Sequence, residues 1–272
     1  MARSGSSLGH SSSRSVTAAA GMGGSWLVRW TRNPKARFRL FCFPHAGAGA
    51  SAFRSWPGQL PLEVEICAVQ LPGRETKLRE APFTDLTGLV QKLAEVVSPY
   101  LDKQFGFFGH SMGGLVSFEL ARRLRSERKP GPVRLFISAH RAPQLPDPDA
   151  PIHELPDAAF LADLRMLYGT AHNGWQDAEL IELYLPVLRA DLAVCETYAY
   201  ATDDPLDCPI TVYGGLEDRK VNREELAAWR VQTRCAFDLR MIPGNHFFAQ
   251  TGESFLLQSL GRDLKQVLSP IP

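Results

Sequence analysis

Chemistry in this chain starts at Ser111, set in "FGHSMGGLV" (108–116) between His110 and Met112 and flanked by Gly109, Gly113 and Gly114. A serine hydroxyl is a poor nucleophile at neutral pH and needs a base to take its proton. The chain has seven histidines. His10 lies in an N-terminal tail, His45 and His110 sit tight against backbone turns, and His140, His153 and His172 fall on or near a helical insertion. His246, in "IPGNHFFAQ", follows the last strand-like run in a Gly-Asn turn, from which an imidazole could swing over the serine. A carboxylate should orient that imidazole. "VYGGLEDRKV" offers Glu217 and Asp218 at the end of another such run, and Asp191, inside the insertion, is a more distant choice.

Attack on a carbonyl also creates an oxyanion, which needs two donors. The Met112 N–H, just past the serine at a helix start, is one, because the first amides of a helix have no intrahelical acceptor. The second is expected from "FPHAGAGA" (43–50), where small residues let the backbone approach a ligand; Ala46 N–H is nominated. A Gly-rich loop can instead cradle phosphate, but the G-x-G-x-x-G spacing is absent here, which disfavours mononucleotide binding.

These residues need positioning. Six apolar, β-rich runs read as buried strands: 37–45, 64–73, 104–111, 132–140, 209–215 and 237–244. Helix candidates lie at 84–102, 112–128, 222–232 and 253–268. The first follows Thr84-Asp85, an N-cap signal, and places Leu86, Leu89, Val90, Leu93 and Val97 on one stripe. Alternation of this kind implies an α/β fold: a mostly parallel central sheet, flanked by helices, with right-handed crossovers and working residues at the carboxyl ends of the strands. From about 144 to 206 no strand is expected. Two helical stretches, 157–168 and 177–199, fill the gap, the second carrying Pro186, which should kink it. Their place between two strands suggests a helical lid over the active edge.

Ser111 then falls on the sharp turn from a strand to a helix, a nucleophile elbow, where crowded backbone requires small neighbours. The order serine, acid, histidine is that of the α/β-hydrolases, which selects Asp218 with Glu217 as the fallback.

Bulk properties narrow the classes. The 272 residues are 44% apolar and 22% charged, as in an ordinary globular protein with a sizeable core. There is no run of 18 apolar residues, so no membrane span is expected. Five cysteines are scattered without a C-x-x-C pair, against a disulfide framework or a structural zinc and for a reducing, cytoplasmic setting. Residues 1–62 hold eight Lys or Arg and no acid, leaving 22 basic and 29 acidic residues in the remainder, a net of about −7 there. That body does not suggest a nucleic-acid binder. Residues 1–24, rich in Ser, Gly and Ala, read as a disordered tail, and 25–272 as one domain carrying the lid.

Nearly all of 25–268 resembles a type II thioesterase, the stand-alone editing enzyme of polyketide and non-ribosomal peptide synthesis. The resemblance rests on "FPHAGAGASAFRSW", "VQLPGRETKLREAPFTDL", "FGHSMGGLVSFELA", "LYLPVLRADLAVCETY", "VYGGLEDRKV" and "PGNHFF". "LPGRE" and "LPVLRAD" matter most, since α/β-hydrolases at large share the triad without them. The chain departs from the family pattern with His-Ala-Gly-Ala-Gly in its loop and with His140 before "RAP", where relatives tend to have Arg.

The resemblance implies Ser111, Asp218 and His246 as catalytic residues and a substrate acyl group held as a thioester on the phosphopantetheine of an acyl or peptidyl carrier protein. No cofactor or metal of the enzyme's own is implied. The lid would shape the acyl pocket, with Tyr184, Leu185 and Leu188 as candidate lining residues. Basic residues at 122, 123, 125, 128 and 129 are a weak candidate for carrier docking. A monomer is expected. The rival readings are a general serine carboxylesterase, a medium-chain fatty acyl thioesterase, and a non-catalytic scaffold on the same fold.

Overall fold

The computed structural model describes residues 25–168 and 178–269, with the backbone alone described at 178–182. Seven strands form one sheet: β1 (Leu27–Val28), β2 (Phe38–Phe43), β3 (Val64–Val69), β4 (Gln104–His110), β5 (Arg134–Ser138), β6 (Ile210–Gly215) and β7 (Phe237–Ile242). Their spatial order is β1-β3-β2-β4-β5-β6-β7. β1 pairs antiparallel with β3, and every other pairing is parallel. The six expected strands are present within shorter limits. β1 escaped the sequence because two residues cannot display a period.

Period-two alternation sorts each central strand between two cores. Phe41, Phe43, Phe105, Phe107, Leu135, Ile137, Ile210 and Val212 enter the core beneath α1 (Leu86–Val97) and α2 (Met112–Ser126). Phe38, Leu40, Cys42, Phe108, Phe136 and Tyr213 enter the opposite core with Trp56 and with Leu256, Leu260 and Leu264 of the C-terminal helix. α1 starts where expected: the Asp85 carboxylate accepts the Gly88 N–H at 2.7 Å, an N-cap of about 1 kcal/mol. All five residues of its apolar stripe are buried.

Between β5 and β6 lie α3 (Asp157–Tyr168) and α4 (Ala178–Glu196), with no strand among the described residues of 144–206. α4 runs through Pro186 without ending there. Ile152, Phe160, Leu164 and Leu192 form a small separate core, to which Ala46, Leu185 and Leu188 add partly buried surface. The two helices therefore pack on each other and on the loop after β2. The remaining helices are α5 (Arg223–Ala227), continued to Gln232 as a 3-10 turn, α6 (Phe248–Thr251) and α7 (Glu253–Leu268). Among the described residues no helix is long and apolar enough to cross a membrane.

Candidate active site

Parallel strands bring their carboxyl ends to one edge, and the residues singled out in the sequence meet there. Ser111 links β4 directly to α2 with φ 51° and ψ −120°, a left-handed conformation that costs a non-glycine residue about 1–3 kcal/mol. Its N–H donates to Ser138 O at 2.7 Å, and Gly114 N–H donates to Ser111 O at 2.8 Å. Two of the flanking glycines are required by space. A Cβ on Gly109 would lie 2.0 Å from Gly113 O, and one on Gly113 would lie 2.1 Å from Phe43 O. At Gly114 the nearest atom is the His140 Cβ at 3.1 Å, so that glycine is less constrained.

The Ser111 Oγ lies 3.0 Å from His246 Nε2, and His246 Nδ1 lies 2.9 Å from Asp218 Oδ2. An ionised carboxylate only accepts, so Nδ1 carries the proton and Nε2 faces the serine hydroxyl as acceptor. Asp218 has a fully buried side chain. Its second oxygen, Oδ1, accepts the Lys220 N–H at 2.9 Å and the Val221 N–H at 3.2 Å, so both oxygens are held. Tyr168 lies edge-on to the imidazole of His246, with ring centroids 5.0 Å apart.

Neither alternative acid approaches His246. Glu217 is exposed. Asp191 instead forms a two-pronged ion pair with Arg74, whose Nη2 lies 2.8 Å from Asp191 Oδ1 while Nη1 contacts Oδ2. Asp191 Oδ2 also accepts the Gly47 N–H at 2.7 Å, and Arg74 Nη1 donates to Ala48 O at 3.3 Å. "LPGRE" and "LPVLRAD" therefore meet around the 46–48 loop. Among the described residues no group accepts the Ala46 or the Met112 N–H, and both residues line one cavity with Ser111.

That cavity measures about 440 Å³. Tyr184 and Leu188 line it, whereas Leu185, the third residue expected there, packs into the small core of α3 and α4 instead. A helix turns about 100° per residue, which aims neighbouring positions on α4 at different surroundings. The sequence reading missed Leu161, Leu164, Leu192 and Cys195, which also line the cavity. Their helical spacing is the same as that of ordinary core residues. Burial pushes the Cys195 thiol well above its usual range, so it stays protonated.

Two of the other histidines are engaged elsewhere. His110 Nδ1 lies 2.8 Å from Ser138 Oγ, and His153 Nδ1 lies 2.6 Å from Glu196 Oε2. His10 and His172 lie outside the described residues. In the basic run, Arg122 pairs with Glu119, Arg125 with Asp203, and Arg123 and Lys129 with Glu127. These contacts hold α2 to its own surroundings. Among the described residues no cluster of three or more His, Cys, Asp or Glu side chains is placed to hold a metal ion.

A mostly parallel sheet with a serine on a strained strand–helix turn, followed along the chain by an acid and a histidine at later strand ends, is the α/β-hydrolase arrangement. Comparison with known proteins narrows this. The sequence pattern of the thioesterase domain matches residues 38–263. Gramicidin S biosynthesis protein GrsT of Aneurinibacillus migulanus is 45% identical over 245 residues, covering 90% of this chain and 96% of the relative. The thioesterase RedJ of the prodiginine pathway in Streptomyces coelicolor superposes with a TM-score of 0.78 at 40% identity, covering 84% and 86% of the two chains. The type II thioesterase BorB of the borrelidin cluster gives 0.80 at 33% identity, covering 88% and 98%. The chain belongs to the thioesterase family of the α/β-hydrolase superfamily, on its type II branch.

Proposed function

We propose that this protein hydrolyses the thioester between an acyl group and the phosphopantetheine arm of an acyl or peptidyl carrier protein. In this role it clears aberrant or short acyl groups from polyketide or non-ribosomal peptide synthases. The observation that carries the chemistry is the unbroken relay from Ser111 Oγ through His246 to the buried Asp218, beside two backbone donors that no group among the described residues accepts. Relatives named for gramicidin S and borrelidin biosynthesis support the substrate class.

In the first half-reaction His246 Nε2 takes the Ser111 proton while Oγ attacks the thioester carbonyl. The oxyanion accepts hydrogen bonds from Ala46 and Met112 N–H, an interaction worth about 3–4 kcal/mol per donor in comparable sites. Asp218 stabilises the imidazolium. Collapse expels the pantetheine sulfur, which leaves as a thiol with the proton from His246. In the second half His246 deprotonates a water, the acyl–serine bond breaks, and free acid and Ser111 are restored. A thioester carbonyl is electrophilic and its thiolate leaves readily, so these groups suffice.

The segment 144–206 is read as the lid, with Leu161, Leu164, Leu188 and Leu192 receiving the acyl chain. Arg74 and Asp191 hold the loop that presents Ala46.

An alkyl fluorophosphonate, whose phosphorus takes the shape of the tetrahedral intermediate, tests the mechanism. Peptide mass spectrometry is expected to place the adduct on Ser111, with labelling lost in His246→Ala. An adduct on another residue contradicts the proposal.

A further inference from the structure

β5 runs alongside the nucleophile strand, with Ser138 opposite His110. Ala139 and His140 continue past the sheet edge beside Ser111, at about the 5 Å spacing of neighbouring strands. The His140 backbone is fixed there, because the Trp229 indole N–H donates to its carbonyl at 2.7 Å. His140 is one of the residues that line the cavity, and among the described residues nothing hydrogen-bonds its imidazole. The other ionic groups of that wall satisfy one another. Arg141 and Lys220 lie 3.2 and 3.1 Å from Asp147 Oδ1. Leu161, Leu164, Leu188 and Leu192 supply apolar surface to the same cavity.

From this juxtaposition we infer that His140 is a specificity-determining residue that favours acyl groups carrying a hydroxyl on the α- or β-carbon. The inference rests on the thioesterase reading above and names the substrates within it. Burial, reinforced by Arg141 and His246, pushes the His140 pKa down to about 3, so the ring is neutral at physiological pH. A neutral imidazole offers one N–H donor and one acceptor nitrogen. An alcohol close to the thioester carbonyl can meet either. A plain alkyl chain of the same length displaces water from the ring and leaves it unpaired, the situation in which polar sites reject analogues most strongly.

The test compares 3-hydroxybutyryl-pantetheine with butyryl-pantetheine, by kcat/KM, in the wild type, His140→Leu and His140→Asn. The wild type is expected to favour the hydroxylated substrate about tenfold. His140→Leu, which removes both hydrogen-bonding nitrogens, is expected to bring the ratio close to one. His140→Asn, whose amide keeps a donor and an acceptor, is expected to retain part of the preference. Should His140→Leu fail to fold, as judged by its melting transition, His140→Ala is read in the same way. Equal rates on the two substrates in the wild type overturn the inference alone. So does an equal loss on both in the variants, which would mark His140 as structural. Absence of hydrolysis of either thioester by the wild type overturns the thioesterase reading and the inference with it.

Discussion

Arg74 and Asp191, 117 residues apart in the chain, face each other as a two-pronged ion pair with side chains 1% and 4% exposed. Asp191 belongs to α4 and Arg74 to the loop after β3, and between them they bind the backbone of Gly47 and Ala48. The pair thus ties the helical segment to the loop carrying the nominated Ala46 donor. Burying two charges costs several kcal/mol, repaid only when the geometry is good and further hydrogen bonds are made; here Arg74 Nε also donates to Pro72 O at 3.1 Å.

Breaking that pair should cost both stability and rate. Asp191→Asn or Arg74→Met is expected to lose about 3–5 kcal/mol, because a buried charge is left without its partner. The double change Arg74→Met with Asp191→Leu should recover much of the melting temperature. Its kcat should stay low, since Gly47 N–H still lacks its acceptor. Calorimetry beside steady-state kinetics separates the two effects; full recovery of kcat would remove the loop-positioning role.

The glycines around Ser111 should differ in tolerance. Gly113→Ala sets a Cβ against Phe43 O on the neighbouring strand, and neither backbone can move cheaply. Little folded protein is expected. Gly114→Ala meets the His140 Cβ at 3.1 Å, and that crowding is offset by about 1 kcal/mol of helix propensity gained. Urea midpoints of the two variants check the contrast. Comparable stability would mean that the elbow is less crowded than these distances state.

Asp218→Asn should lower kcat by about 10³–10⁴-fold, since an amide can hold the wrong tautomer of His246. Glu217→Gln, at an exposed neighbouring position, should change kcat less than about twofold. The reverse outcome would move the acid to Glu217.

Much of this arrangement was legible before any coordinates, and the reasons are physical. Six strands and the helices around them announce themselves by periodicity, because each must bury an apolar face. Ser111, Asp218 and His246 are legible because strand ends, glycine turns and chain order constrain them together. The cavity wall was harder to read. Leu185 and Leu188 look equivalent in sequence, yet only Leu188 reaches the cavity, since a helix face is fixed by what packs against it. His140 stood out in the sequence only as a departure from the family pattern; its significance lies in what surrounds the ring. The Arg74–Asp191 pair was out of reach for the same reason: two motifs were visible, and their meeting was not.

Deleting residues 1–21 should leave kcat and KM within about twofold of the full chain. Every residue assigned a role lies between Ala46 and His246, and the described elements begin at Leu27. Parallel kinetics on the two chains check this. A large loss would assign the tail a part in the fold or in carrier binding.

The central claim is release of acyl groups from carriers, and it can be measured directly. A phosphopantetheinylated carrier protein loaded with propionyl is set beside ethyl propionate at equal concentration, with intact-protein mass spectrometry following the carrier. Release from the carrier at least a hundredfold faster than ester hydrolysis, and abolished in Ser111→Ala, is the expected result. Turnover of the ester with an untouched acyl-carrier would leave a serine esterase and contradict the proposed function.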